Sequence, residues 1–64
     1  MLDKLKEARL KAGLTQAQMA KICEISVLAY QQYEYGKRIP RADVAVRIAE
    51  ALGSTVEHLF GERK

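Results

Sequence analysis

The segment from Gly13 to Gly36 constrains this chain more than any other. Thr15-Gln16-Ala17-Gln18 has the layout of a capping box, in which a Thr hydroxyl accepts the amide three residues on and a Gln there reaches back to the Thr amide. Met19, Ala20 and Cys23 then recur at helical spacing and supply one buried side, Ala20 being small where a second helix must approach. Glu24-Ile25 leaves room only for a tight turn. Ser26 is a second N-cap, and a helix over roughly Val27 to Tyr35 runs to Gly36, which suits the left-handed residue that ends many helices. Two short helices joined in this way form a helix-turn-helix unit over about residues 15–36.

The flanks read as helices too. Leu2, Leu5, Ala8, Arg9 and Ala12 step by three and four, predicting a first helix from Leu2 to Ala12 that stops at Gly13. Arg9 on that inward stripe is a charge that demands a partner. After the basic loop Lys37-Arg38-Ile39-Pro40, Ala45, Ile48, Ala49 and Leu52 predict a helix over about Arg41 to Leu52, stopped by Gly53 and poorly capped by Arg41. A last short helix starts at Ser54 or Thr55, with Ser54 and Glu57 able to form a second capping box, and buries Val56, Leu59 and Phe60. No segment alternates as a strand would. The expected fold is all-α, a compact bundle of five short helices in one domain over 1–64.

Composition limits what such a bundle can do. A chain of 64 residues buries only about 60 % of the surface its unfolded form exposes, so stability is small and self-association would help. At 48 % hydrophobic it is not disordered, and the apolar surplus suggests surface reserved for a partner. A single cysteine excludes a disulfide, so Cys23 reads as a small core residue in a reducing, cytoplasmic setting. No apolar run is long enough for a membrane span or a signal peptide. The net charge of +3 is unevenly placed: residues 1–41 carry +4 and residues 42–64 carry −1. The basic half coincides with the helix-turn-helix, where an electrostatic footprint on phosphate would lie, although such a surplus is also what a solvated face carries.

These residues together resemble the phage-repressor/Cro-type helix-turn-helix family, also called the XRE family. The resemblance rests on Arg9, Gly13-Leu14-Thr15-Gln16, Met19-Ala20, Ser26, Glu34-x-Gly36-Lys37, Pro40, Ile48-Ala49-x-Ala51-Leu52-Gly53 and Leu59-Phe60, with no gap from Thr15 to Phe60. Each piece is ordinary and their joint spacing is specific. It implies a lambda-repressor-like bundle and a DNA-binding transcription regulator. Two positions depart from the pattern. Glu24 stands where Gly is usual in the turn, and Val27-Leu28-Ala29 stand where the reading helix usually begins with polar residues.

The resemblance also implies roles. Gln16 matches a glutamine that faces a phosphate at the positive end of its helix. Arg9 and Glu34 match a partly buried ion pair tying the first helix to the end of the third. Helical spacing puts 28, 31, 32 and 35 on one face, with Ile25, Tyr30 and Tyr33 turned inward. Gln31 and Gln32 can pair with adenine in a major groove, Gln32 matching the family's deeper contact. Val27 and Leu28 offer apolar contact to thymine methyls, or else packing or self-association. Ser26, Tyr35, Lys37 and Arg38, with Arg41 beside them, are candidate phosphate contacts, which position a protein without carrying sequence information. Tyr30 and Tyr33 match core positions, their hydroxyls solvated or bonded.

Catalysis finds no support, since Cys23 and His58 lie on different helices without clustered acids, and His58 reads as a surface residue. One Cys and one His are too few for a metal site, and no cofactor or small-molecule ligand is implied. The expected function is a sequence-specific binder of double-stranded DNA, a repressor acting as a homodimer on a near-palindrome with its third helix in the major groove. Val56, Leu59 and Phe60, with Val44 beside them, are the candidate dimer surface. The alternative is a protein-interaction adaptor or antitoxin-like module on the same fold.

Overall fold

The computed structural model describes residues 3–61. They form five helices: α1 (Asp3–Lys11), α2 (Gln16–Cys23), α3 (Val27–Glu34), α4 (Ala42–Leu52) and α5 (Val56–Phe60), with no strand among the described residues. Leu2, expected to open the first helix, lies outside them. α2 packs against both α3 and α4, α1 touches α3 and α5, and α4 touches α5. No helix among the described residues is long and apolar enough to cross a membrane.

One shared core holds the bundle. Leu5, Met19, Cys23, Tyr30, Ile48 and Leu59 are fully buried, joined by Ala20, Val44 and Ala49, so every helix contributes at least one member. Pro40, in the loop before α4, is buried as well. Leu59, expected to be buried by the last helix and also offered as part of a dimer surface, belongs to this core. A helix of five residues has only one inward face, and Leu59 occupies it. Val44, at 7 % exposure, is likewise core. Val56 and Phe60 pack partly against the cluster and remain half-buried.

Helix starts follow the capping chemistry, with one shift. Thr15 Oγ1 accepts the Gln18 amide at 3.0 Å while Gln18 Oε1 accepts the Thr15 amide at 2.9 Å, which completes the box. Ser26 Oγ accepts from the Ala29 amide at 3.1 Å. At α5 the cap is Thr55, bonded to the His58 amide at 3.0 Å, rather than Ser54 with Glu57. The Ser54 amide turns back to Ala49 O at 2.9 Å and closes α4, so it is not available to a returning Glu57 carboxylate. Arg41 supplies no side-chain cap, and Asp43 Oδ1 accepts the Val44 amide instead.

The first four helices end alike, with one left-handed residue and two amides turned back onto the last turn. Three of those residues are glycine. The fourth is Glu24, at φ 60°, in the turn between α2 and α3. A left-handed conformation costs a residue with a Cβ on the order of 1 kcal/mol. Arg47 of α4 supports this elbow, donating from Nη1 to the Cys23 carbonyl at 3.2 Å and approaching the Glu24 carboxylate at 3.6 Å.

Candidate nucleic-acid interface

α3 presents one face to the core and another to solvent. Tyr30 and Glu34 point inward, four residues apart, while Leu28, Gln32 and Tyr35 follow one another along the outer face. Leu28 is 64 % exposed, Tyr35 61 % and Val27 39 %, and Gln31 and Gln32 are half-buried. Ser26 is exposed and uses its hydroxyl oxygen as the cap. Lys37 and Arg38 stand exposed just beyond the helix, in a loop begun by the bond from the Lys37 amide to Gln32 O at 2.9 Å. Arg41, expected beside them, is paired at 3.3 Å with Asp43, and both side chains are open to solvent. The fold therefore lines up Val27, Leu28, Gln31, Gln32 and Tyr35 with a basic end.

Beneath that face lies a polar network that crosses three elements. Arg9 Nε donates to Glu34 Oε2 at 2.6 Å, Arg9 Nη2 to Glu34 Oε1 at 3.4 Å, and Arg9 Nη1 to the Leu14 carbonyl at 2.9 Å. The two charged side chains are 9 % and 3 % exposed, so most of their hydration has been replaced by each other. Burial works against the Glu34 charge, but the hydrogen bond from Arg9, the adjoining Tyr30 hydroxyl and the bond from Gln16 outweigh it and hold the carboxyl below its ordinary range. The bond to Glu34 raises the Arg9 value in turn, against burial. Burial, with the Glu34 carboxylate next to it, pushes the Tyr30 phenol well up, and its hydroxyl is buried without completing a hydrogen bond. A solvated or bonded hydroxyl was expected there. The ring is wedged into the core too deeply for water to reach its end.

Gln16 is already engaged within the protein. Its Nε2 donates to Glu34 Oε1 at 3.0 Å and its Oε1 accepts from Gln31 Nε2 at 3.1 Å. The side chain expected at a phosphate is thus engaged between α2 and α3. Both bonds join residues far apart in sequence, which no local pattern marks. Arg47 at the elbow was also missed, and the one signal for it was an acid, Glu24, where the turn needs a left-handed residue. Ile39, 69 % exposed beside the basic pair, is a third feature that periodicity does not reveal, because it lies in a loop.

Other reactive groups are unremarkable. Cys23 is fully buried, and burial pushes its thiol up, only partly offset by Arg47. His58 is exposed. Among the described residues no group of three or more His, Cys, Asp or Glu side chains could hold a metal.

Comparison with known proteins agrees with this geometry. A family model described as helix-turn-helix matches residues 5–59. The chain is 37 % identical over 59 residues to the cryptic phage CTXphi transcriptional repressor RstR of Vibrio cholerae serotype O1, an alignment covering 92 % of this chain and 53 % of the relative. The chain therefore spans about half the length of the curated relative it matches. No solved structure matches it. With Arg9, the capped pair α2–α3 and the stretch through Leu59 all inside the matched region, the chain belongs to the XRE-type helix-turn-helix family of DNA-binding regulators.

Proposed function

We propose that this chain is a sequence-specific reader of double-stranded DNA that acts as a repressor, with α3 lying in the major groove. The observation that carries the reading is the outward face of α3: Leu28, Gln32 and Tyr35 in line, Val27 and Gln31 beside them, and Lys37 and Arg38 at the end. Such a face supplies amide and apolar groups for base edges and cations for phosphate. Gln16, Ser26 and Tyr35 stand at its margins as further phosphate contacts; Gln16 keeps one N–H beyond its bond to Glu34, and Ser26 keeps its hydroxyl proton. Repression is suggested by the similarity to a transcriptional repressor.

The reading extends to a homodimer. Two copies would place their α3 helices in successive major grooves about 34 Å apart, on a near-palindrome. Val56 and Phe60, half-buried on α5, remain the surface for that contact once Leu59 is assigned to the core.

The test is a salt titration against random duplex, followed by selection from a random pool. DNA binding predicts that log affinity falls linearly with log salt, with a slope of about −0.9 per phosphate neutralised. A near-palindromic site should emerge from the pool. One feature favours the alternative of a protein adaptor, namely the exposed pair Val27 and Leu28 at the start of α3. Salt-insensitive or absent DNA binding would favour that reading.

A further inference from the structure

We propose that Arg47 of α4 is a positioning residue for DNA reading: through the Cys23 carbonyl it fixes the elbow between α2 and α3, and with it the tilt of α3 in the groove. The inference rests on the DNA-binding reading above and adds a residue that governs specificity without touching DNA. Its origin is the way α2 ends. The amides of Glu24 and Ile25 turn back onto the Lys21 and Ala20 carbonyls at 3.1 and 3.0 Å. No backbone amide among the described residues reaches the Cys23 carbonyl. Cys23 is fully buried, so that carbonyl depends on a protein donor. Arg47 supplies it from Nη1 at 3.2 Å, and its charge sits where the α2 dipole is negative.

The bond ties the elbow to the body of the protein. Ile48 and Ala49, next along α4, lie in the shared core, so the helix that carries Arg47 is fixed in the bundle. From the Cys23 carbonyl only Glu24, Ile25 and Ser26 lead to α3. Glu24 holds its left-handed conformation at a cost, which makes the elbow a place to yield. The far end of α3 is pinned by Arg9 to Glu34 at 2.6 Å. Held at that end alone, α3 would pivot about Glu34. Val27 and Leu28 stand about 10 Å from that pivot, at roughly 1.5 Å per helical residue. A tilt of about 6° moves them by about 1 Å, and a gap of about that size forfeits up to about half of an apolar contact. The Glu24 carboxylate adds little to the restraint, since it lies 3.6 Å from Arg47 with both side chains exposed.

The test compares affinity for a duplex selected by the wild-type protein with affinity for random duplex, across a salt series. Arg47→Met keeps the stem and removes every donor. Its selected-site affinity should fall about tenfold, while random-duplex affinity and the salt slope stay as in the wild type. Glu24→Gln, which keeps the side-chain length without the charge, should leave the ratio of the two affinities within about twofold. Circular dichroism shows whether each variant is folded. If Arg47→Met is not, Arg47→Gln, whose amide falls short of the Cys23 carbonyl, takes its place. The inference is overturned if a folded Arg47 variant keeps the wild-type ratio, or if Glu24→Gln reproduces the loss. It is overturned too if both affinities fall alike and the salt slope shrinks by about 0.9, the mark of a phosphate contact. Should neither Arg47 variant fold, Arg47 is a residue of stability and the inference is likewise overturned. Failure to enrich any duplex would sink the DNA-binding reading and this inference with it, whereas a selected site with an unchanged ratio overturns the inference alone.

Discussion

The two ends of α3 are built on different terms. At its C-terminal end, Glu34 is buried against Arg9 of α1, joined to Gln16 of α2, and followed by a glycine that accepts the left-handed stop. At its N-terminal end, Val27 and Leu28 are exposed, the preceding turn holds a left-handed glutamate, and one Ser hydroxyl supplies the cap. The contrast separates the labour of the helix. One end sets its angle in the bundle and resists change. The other is tied mostly to itself, leaving its side chains available to whatever the helix meets.

That contrast can be broken first where the effect is largest. Arg9→Ala or Glu34→Ala leaves an uncompensated buried charge and should cost about 3–5 kcal/mol, measured by chemical denaturation. In a double-mutant cycle the two losses should be strongly non-additive, and additive losses would remove the pair as the anchor of α3. The same anchor predicts acid sensitivity. Because Glu34 is held below its ordinary range in the folded state, its contribution is complete above the unfolded carboxylate value of about 4.3 and is lost as pH falls through the folded value. Glu34→Gln should flatten stability against pH in that acid window.

Smaller effects belong to the other end. Ser26→Ala removes the cap of α3 and should lower stability by about 1 kcal/mol, visible as a drop in Tm. Glu24→Gly exchanges a strained left-handed residue for one without a Cβ, at the loss of an exposed ion pair with Arg47. Its greater unfolded-state freedom takes back part of the gain, so a net stabilisation of roughly 0.5 kcal/mol is expected. A clear loss instead would mean that the Arg47 contact holds the elbow. Leu28→Ser should change stability by no more than about 0.5 kcal/mol while altering affinity for selected DNA. If Leu28→Ser unfolds the protein, the free end of α3 is structural after all and the comparison fails.

Much of the fold was legible because its signals are local. Thr15 with Gln18, Ser26 with Ala29, and the glycines after α1, α3 and α4 act on residues one to five positions away, and such pairs can be read directly from spacing. The shift of the α5 cap from Ser54 to Thr55 shows the limit of that reading. Two adjacent residues each carry a capping hydroxyl, and the choice between them depended on how α4 closes. Leu59 and Val44 show a second limit. An apolar residue on a short amphipathic helix looks the same whether it meets its own core or another copy.

For the site, the residues were legible and their partners were not. A charge on the apolar stripe of α1 announced that Arg9 needed an acid, and Glu34 was found through the family pattern. Gln16 was placed correctly at the start of α2, yet its side chain turned inward to Glu34 and Gln31 rather than standing free. Nothing in spacing decides that, since a glutamine amide bonds equally well to water, phosphate or another side chain. Arg47 reached the α2 terminus from a helix more than twenty positions away.

By itself, then, the sequence determined where helices start and stop, which faces are apolar, and that residues 15–36 form a helix-turn-helix. These depend on backbone capping and on the helical period, both properties of neighbouring residues. Only the tertiary structure decided that Val44 is core, that Arg47 braces the elbow, and that Gln16 bonds to both Glu34 and Gln31. Those outcomes rest on contacts between distant segments, where competing partners are chosen by packing and by the donor-acceptor character of what is already buried.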